Sequence, residues 1–265
     1  MPTSLGVNFN GHVELKNTWW AHLGANTGNF GGTFSDRDSR GGPAVRRSRD
    51  QEVWGGLEGD RRWHVQPMFF AGAWSGDDGH SQGTWVDPAV SIRASSRFSA
   101  RLGFNVERAV NDNQFRGNFG EIGADTTRYT FARLYQTTIN PTARFSVTAT
   151  PTLSFQVYAQ PFVTTGDYSN WRELDDPRAR SYAGRYKPYA QGGDPGGFNF
   201  KQFRSNSVVR WEYRPGSTLF LVWTQGREDF LSGGSRLDVK RDYDNLFKLR
   251  PENTLLVKAS YWVNF

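Results

Sequence analysis

The residues that could do chemistry fall into three groups, and the first is a short polar loop. Asp77, Asp78 and His80 lie within four positions, directly before Ser81. Carboxylates and an imidazole this close together could act as general acid and base, which makes His80 a candidate general base in a hydrolase. The same composition is also typical of an exposed Gly/Asp turn. The sequence contains no nucleophile elbow, phosphate loop or zinc-protease motif, so we predict no enzyme and keep the His80 hydrolase as an alternative.

The second group is a pair of histidines near the start of the chain. If the first two strands form a hairpin, His12 and His22 face each other beside Glu14. Imidazole nitrogens are common metal ligands. Two opposed histidines without a third ligand at a fixed spacing are a weak signal, however, so the sequence predicts neither a metal nor a cofactor.

Where these residues lie depends on the elements that carry them, and the hydrophobic pattern predicts strands almost throughout. Between Phe98 and Val106 every second residue is apolar, and the residues between them are polar or Gly. This period of two is that of a strand with one apolar face and one wet face. It predicts eleven strands, at residues 4–15, 18–29, 50–58, 62–74, 84–94, 97–109, 131–149, 153–163, 199–213, 217–227 and 253–265. A short helical turn is predicted only around Asp244 to Lys248.

The connections between these strands alternate in length. Short turns are predicted at residues 16–17, 59–61, 95–96, 151–152 and 214–216. Long loops are predicted at residues 30–49, 75–83, 110–130, 164–198 and 228–252. Bacterial outer-membrane barrels have short periplasmic turns and long extracellular loops, and their strands are about nine to eleven residues long. The pattern therefore favours such a barrel.

The last strand supports the same interpretation. Apolar residues occupy alternate positions from Leu255 to the final residue. We expect Tyr261, Val263 and Phe265 to act as the signal by which the barrel assembly machinery recognises an outer-membrane barrel.

Composition excludes several classes of protein. No stretch approaches the roughly 18 consecutive apolar residues that a membrane-spanning helix needs. An aromatic content of 15% is too high for a disordered chain. The absence of Cys removes disulfides and thiolate chemistry, and the net charge of +6 is spread without the basic run typical of nucleic-acid binding.

Strand parity then defines the third group, the charges that point into the barrel lumen. Its basic members are Arg62, Arg93, Arg101, Arg144, Arg210 and Lys258, and its acidic members are Glu14, Glu52, Asp87, Glu107 and Glu212. Two interpretations stay open. A basic excess would favour the passage of anions, whereas paired charges would plug a small barrel with salt bridges.

Aromatic residues near the predicted strand ends suit the girdles that outer-membrane barrels place at the membrane interfaces. They include Trp19, Trp63, Tyr213, Trp223 and Tyr261. In a soluble secreted β-sandwich, the alternative fold, exposed Trp residues would instead stack on sugar rings.

Three segments resemble one family of bacterial outer-membrane proteins. They are Asp125 to Arg133, Gln156 to Phe162 with Gly166 to Asn170, and Arg210 to Arg227, of which the last is the most specific. In this family an N-terminal carbohydrate-binding family-nine-like domain precedes a C-terminal barrel of unknown function. The resemblance implies a location and an architecture, and it carries over no catalytic residue. Pro141 departs from the family pattern, where an aliphatic residue is usual.

Together these features predict an all-β fold, an antiparallel transmembrane β-barrel of the outer-membrane type, with a single domain over residues 1–265. The odd strand number, and the lack of a signal peptide in residues 1–10, lead us to expect further strands and a periplasmic domain upstream. The expected function is a channel or a membrane anchor in the bacterial outer membrane, linked to carbohydrate binding or uptake. Expected partners are outer-membrane lipid, lipopolysaccharide, the barrel assembly machinery and a glycan ligand.

Overall fold

The computed structural model describes residues 5–30, 32–120, 126–233 and 236–263. Its strands are β1 (Gly6–Glu14), β2 (Trp20–Gly28), β3 (Phe34–Ser35), β4 (Val45–Arg46), β5 (Asp50–Glu58), β6 (Val65–Gly76), β7 (Ser81–Ser95), β8 (Phe98–Phe119), β9 (Arg128–Thr150), β10 (Leu153–Leu174), β11 (Tyr186–Pro188), β12 (Gly197–Arg214), β13 (Ser217–Ser232) and β14 (Glu252–Ser260). One α-helix, α1, spans Val239–Lys248, and short 3-10 turns lie at Asp77–Gly79 and Ala183–Arg185.

The long strands form one antiparallel sheet. Each long strand pairs with the next one along the chain, in the order β1-β2-β5-β6-β7-β8-β9-β10-β12-β13-β14. The short β11 pairs with β10, and β3 and β4 form a separate ribbon. Among the described residues, β1 and β14 each have one neighbour only, so they are the two edges of the sheet. A β-sandwich would need two sheets packed face to face, so the soluble sandwich does not fit this architecture.

The two faces of the main sheet differ in chemistry. On one, the apolar face, large side chains are half exposed: Leu23 (61%), Val53 (59%) and Phe69 (50%) are examples. The opposite, polar face carries residues such as Arg101 and Arg144, which are cross-strand partners. A face this apolar and this exposed is what a barrel presents to lipid, and a polar opposite face is what it presents to its lumen. The predicted all-β barrel type of fold is therefore confirmed.

All eleven predicted strands are present, but several run much further than expected. β8 extends to Phe119 and β9 begins at Arg128, so the loop predicted over residues 110–130 is wrong for most of its length. β10 likewise continues to Leu174. The loop predicted over residues 75–83 is reduced to residues 77–80 between β6 and β7. In these extensions both faces carry polar residues, so backbone pairing continues after the hydrophobic alternation has ended.

The extended strands define two different ends of the sheet. We call the end with connections 29–49, 77–80 and 175–196 the loop end, and the opposite end, with its short connections, the turn end. Helix α1 lies in the connection between β13 and β14, and it starts earlier than the predicted turn. Asp238 caps it by accepting a hydrogen bond from the backbone nitrogen of Arg241. Leu246 is fully buried, and α1 contacts strands β12 and β13.

The C-terminal strand is shorter than predicted. β14 ends at Ser260, so Tyr261 and Val263 follow the strand without belonging to it. Both are more than half exposed. Phe265, the third residue of the expected assembly signal, lies outside the described residues. In the described part of the chain, no helix is long and apolar enough to cross a membrane.

Candidate functional site on the polar face

Two arginines lie side by side on the polar face, on two central strands of the sheet and close to its turn end. Arg101 of β8 and Arg144 of β9 are direct cross-strand partners. The Arg144 guanidinium lies 5.0 Å from the ring centroid of Tyr158, and Arg101 donates to Ser91 Oγ at 3.2 Å. Within the described ranges neither guanidinium forms an ion pair with a carboxylate. Opposed like charges without a counter-ion make this part of the face attractive to anions.

The other charges predicted for the lumen are only partly paired. Arg62 does not lie on a strand as predicted, because β6 begins only at Val65. In the connection at the turn end it pairs with Asp60, and this guanidinium holds the pKa of the Asp60 carboxyl well below its usual range. Arg210 pairs with Glu212 on its own strand at 3.2 Å. Neither contact crosses the sheet. The remaining charged residues form no ion pair among the described residues: Arg93, Lys258, Glu14, Glu52, Asp87 and Glu107.

A row of aromatic rings covers glycines on neighbouring strands of the polar face. The cross-strand pairs are Gly24 with Trp54, Gly56 with Phe70, Gly72 with Trp85, Gly83 with Trp74, and Gly166 with Phe198. A Cβ at any of these glycines would stand 2.2–2.6 Å from the facing ring, so each ring lies directly over the glycine backbone. Each ring therefore occupies the space that a side chain at the facing glycine would need. Flat aromatic surfaces of this kind are stacking platforms.

At the loop end a buried carboxylate joins three segments of the chain. Asp112 of β8 is 2% exposed. It forms ion pairs with Arg133 and Arg172, both at 3.0 Å, and Tyr182 Oη donates to its Oδ2 at 2.8 Å. Arg172 also donates to the backbone carbonyl of Asp112. The interactions with two guanidinium groups and a phenol offset the free-energy cost of removing this carboxylate from water.

Through these contacts the connection between β10 and β12 is fixed to the sheet. Tyr182 and Tyr186 pack on Phe131, forming a buried cluster. Arg185, only 2% exposed, donates to Ser48 Oγ at 2.9 Å and so joins this connection to the one after β2. Burial raises the pKa of both tyrosines, that of Tyr186 to about 12, so both stay neutral at physiological pH. The two long connections thus form a folded cover at the loop end.

The predicted acid–base loop lies beside this cover. The His80 ring stacks on Tyr182 with centroids 4.8 Å apart, and within the described residues it makes no hydrogen bond through its ring nitrogens. Asp77 accepts hydrogen bonds from Ser81 and Asn113, and burial raises its pKa. The Ser81 hydroxyl therefore points to Asp77 and not to His80. Asp78 is exposed, so the structure does not assemble these residues into a nucleophile and base.

The histidine pair lies where the strand pattern predicts, but the aromatic residues predicted near strand ends do not all lie there, since Trp223 is in the interior of β13. His12 and His22 are direct cross-strand partners. Trp19 and Trp63 form an edge-to-face pair at the turn end, with centroids 5.8 Å apart. Near the same end, Tyr213 Oη donates to the Ser260 carbonyl at 3.1 Å. Trp223 is 48% exposed on the apolar face, and its indole donates to Asn253.

Sequence reasoning missed the aromatic row and Asp112. The spacing of Trp and Gly along single strands has no obvious pattern, because each pair joins different strands. One signal was available: once the strands are paired in order, Gly72 and Trp85 fall opposite each other. For Asp112 no local signal exists, since its partners come from distant segments.

Comparison with known proteins gives a family and a fold. The family "Domain of unknown function (DUF5916)" matches residues 2–265. No curated protein matches the chain. Among solved structures, a copper transporter, OprC, matches with a TM-score of 0.52 and 10% identity, over 97% of this chain and 40% of that one. This chain thus corresponds to less than half of that protein, and at such low identity the similarity concerns the fold alone. The structural match gives this chain the antiparallel sheet of an outer-membrane β-barrel. Because the family model covers residues 2–265, the chain belongs to the DUF5916 family.

Proposed function

We propose that this chain is part of a bacterial outer-membrane barrel and that its polar face lines a channel for polar solutes. The observation that carries the proposal is the contrast between the two faces of one sheet. Side chains such as Leu23, Val53 and Phe69 are exposed on one face, while Arg101 and Arg144 lie on the other and form no ion pair with a carboxylate of the described residues. In water the first face would be unfavourable, whereas in lipid it is the required surface.

In this proposal the turn end faces the periplasm and the loop end faces the exterior. Barrels in the bacterial outer membrane have their short turns on the periplasmic side. The exterior loops would then contact lipopolysaccharide, and the aromatic pair Trp19 and Trp63 would lie at the periplasmic interface. The barrel assembly machinery would insert the chain.

A closed barrel requires partners for the two edge strands. Unpaired backbone groups are too costly in a lipid environment, so β1 and β14 must pair with strands. Eleven successive antiparallel strands leave β1 and β14 running in the same direction. An antiparallel closure therefore needs an odd number of additional strands between them. We propose that these strands come from the same protein, together with the carbohydrate-binding domain that the family resemblance implies.

The solute class that best fits the polar face is carbohydrate. Trp54, Phe70 and Trp85 each lie over a glycine on the adjacent strand. Aromatic ring faces can stack on the apolar faces of sugar rings. The unpaired guanidinium groups of Arg101 and Arg144 would in addition favour sugars that carry carboxylates.

Bilayer conductance tests this function. The detergent-purified protein should open channels whose current is reduced by an acidic oligosaccharide, and more weakly by a neutral one of equal length. Trp54→Ala should weaken this block by about tenfold, while Trp223→Ala on the apolar face should leave it unchanged. Arg101→Gln with Arg144→Gln should lower the anion preference, measured as reversal potential. Equal block in the Trp54 and Trp223 variants would reject the carbohydrate assignment.

A membrane anchor is the second candidate, and the folded cover favours it. Asp112 and Arg185 fix two long connections across the loop end. If this cover seals the lumen, a correctly folded barrel will show no conductance, and removing residues 176–194 should then open it. The His80 hydrolase stays an alternative with a simple test: hydrolysis by the purified protein should vanish in a His80→Ala variant.

A further inference from the structure

The first hairpin brings two imidazole nitrogens into contact on the polar face. His12 and His22 are direct cross-strand partners, and their Nδ1 atoms lie 2.8 Å apart. This is a hydrogen-bond distance. In the metal-free protein one Nδ1 atom therefore carries a proton and donates it to the other Nδ1, which accepts. The same closeness allows both lone pairs to bind one ion when that proton leaves.

The distance between the nitrogens selects among metal geometries. Two nitrogens 2.8 Å apart, each about 2.05 Å from a common ion, subtend about 86° at that ion. Tetrahedral zinc would need the nitrogens about 3.3 Å apart. An angle near 90° instead fits neighbouring positions of a square-planar or octahedral ion, a geometry that nitrogen and oxygen ligands give to Cu(II) and Ni(II).

A carboxylate supports the second nitrogen of His22. His22 Nε2 is buried, has no hydrogen-bond partner in the described part of the chain, and lies 3.6 Å from Glu58 Oε2. Gln66 Nε2 donates to Glu58 Oε1 at 2.8 Å and so holds this carboxylate in place. A carboxylate behind the outer nitrogen favours the tautomer protonated at Nε2, which leaves Nδ1 free to bind a metal.

Neighbouring aromatic rings hold the His22 ring in place, whereas the His12 ring is accessible to solvent. Trp20 stacks on His22 with an interplanar angle of 22°, and Phe70 lies against it with centroids 5.3 Å apart. His12 is exposed, and Glu14 follows it two residues along β1. No three His, Cys, Asp or Glu side chains of the described ranges converge as a complete ligand set. Water would complete the coordination.

We propose that His12 and His22 form a two-imidazole site for Cu(II) or Ni(II), oriented by Glu58 and with its other positions held by exchangeable water. On binding, the Nδ1 proton is released to solvent or moves to Nε2 of His12, and both Nδ1 lone pairs go to the ion. This site does not depend on the proposed channel function, because both of its ligands lie on one hairpin and the carboxylate that orients them lies on the neighbouring strand β5.

The test uses the protein produced without a polyhistidine tag and purified in detergent, with Cu(II) as the probe. Calorimetric titration should show one high-affinity ion, and the electron paramagnetic resonance spectrum should show coupling to two imidazole nitrogens. His12→Asn and His22→Asn should each weaken binding by more than about a hundredfold, and Glu58→Gln by about tenfold to a hundredfold. The matched controls are His64→Asn and His80→Asn, the other two histidines of the chain, which should bind as the unchanged protein does.

Circular dichroism and gel mobility before and after heating confirm that each variant is folded. If His22→Asn fails to fold, His12→Asn still decides, since His12 is exposed and its loss leaves no cavity. Unchanged affinity in the His12 variant, a spectrum with fewer than two coupled nitrogens, or an equal loss in the His64 or His80 control would overturn the proposal.

Discussion

Tyr182 Oη donates a hydrogen bond of 2.8 Å to Asp112 Oδ2, across 70 residues of the chain. The contact fixes the connection between β10 and β12 to the wall formed by β8. Arg133 and Arg172 complete the partners of the same carboxylate. One buried ion with three donors thus joins this connection to the sheet, and its loss should loosen the cover before it affects the sheet.

Asp112→Asn should free the cover. The substitution leaves two guanidinium groups facing a neutral amide, and breaking a buried ion pair in this way costs about 3–5 kcal/mol. Trypsin should then cut after the exposed Arg178 or Arg180 at least about a hundredfold faster, because cleavage follows the population of the open form.

The control for this cleavage is Asp244→Asn, which removes the exposed ion pair between Lys240 and Asp244 on α1. It should leave the cleavage rate unchanged. An equal rate in both variants would mean that Asp112 does not hold the cover.

Gly72→Ala should destabilise the sheet through the ring that covers it. The new Cβ would stand 2.6 Å from the Trp85 indole. Moving this ring also breaks its hydrogen bond to Glu52, which is 3.3 Å long, and overpacking of this kind costs about 1–3 kcal/mol. Urea unfolding in detergent measures the change. Gly226→Ala is the control, since nothing lies within 4 Å of its Cβ position, and a similar loss there would argue against a role for the ring.

The stability of the protein should respond differently to a charge introduced at two adjacent residues of β8. Phe104 is 44% exposed on the apolar face, and Asn105 points to the polar face. In a bilayer, Phe104→Arg should lower the free energy of unfolding by about 2–4 kcal/mol if it lies near the midplane, while Asn105→Arg should have little effect. Reversible unfolding in lipid vesicles compares the two. Equal effects would contradict the assignment of the apolar face to lipid.

Asp77→Asn should flatten the pH dependence of stability at the loop end. Burial raises the pKa of Asp77 above its ordinary value of 3.8. Below pH 3.8 the Asp77 carboxyl is protonated in both the folded and the unfolded state, so it contributes nothing to the pH dependence of stability. As pH rises from there to the raised pKa, the unfolded state loses its proton first, so stability falls and then levels off.

The stability of the Asn variant relative to the unchanged protein should accordingly increase with pH over that window and then stay constant. Thermal unfolding midpoints between pH 3.5 and 8 measure this difference. A difference that stays constant over the whole pH range would contradict the raised pKa of Asp77.

The sequence by itself determined the strands and the faces they present. A period of two needs only local information, because every second side chain meets the same environment, so the pattern from Phe98 to Val106 predicts both a strand and its two faces. If the first two strands form a hairpin, the sequence predicts that His12 and His22 face each other, and they are cross-strand partners. The eleven strands, their order along the chain and the position of the helical turn follow from the same kind of signal.

Only the tertiary structure decided where the strands end and what closes the loop end. Beyond Ala109 the strand β8 has polar residues on both faces, so the alternation that marks a strand is lost while its hydrogen bonds to β9 continue. The partners of Asp112 lie far apart along the chain, and their meeting depends on strand register and on the path of a long connection. For the same reason, the need for glycine at positions such as Gly72 cannot be predicted from the sequence, because it depends on the aromatic ring on the next strand.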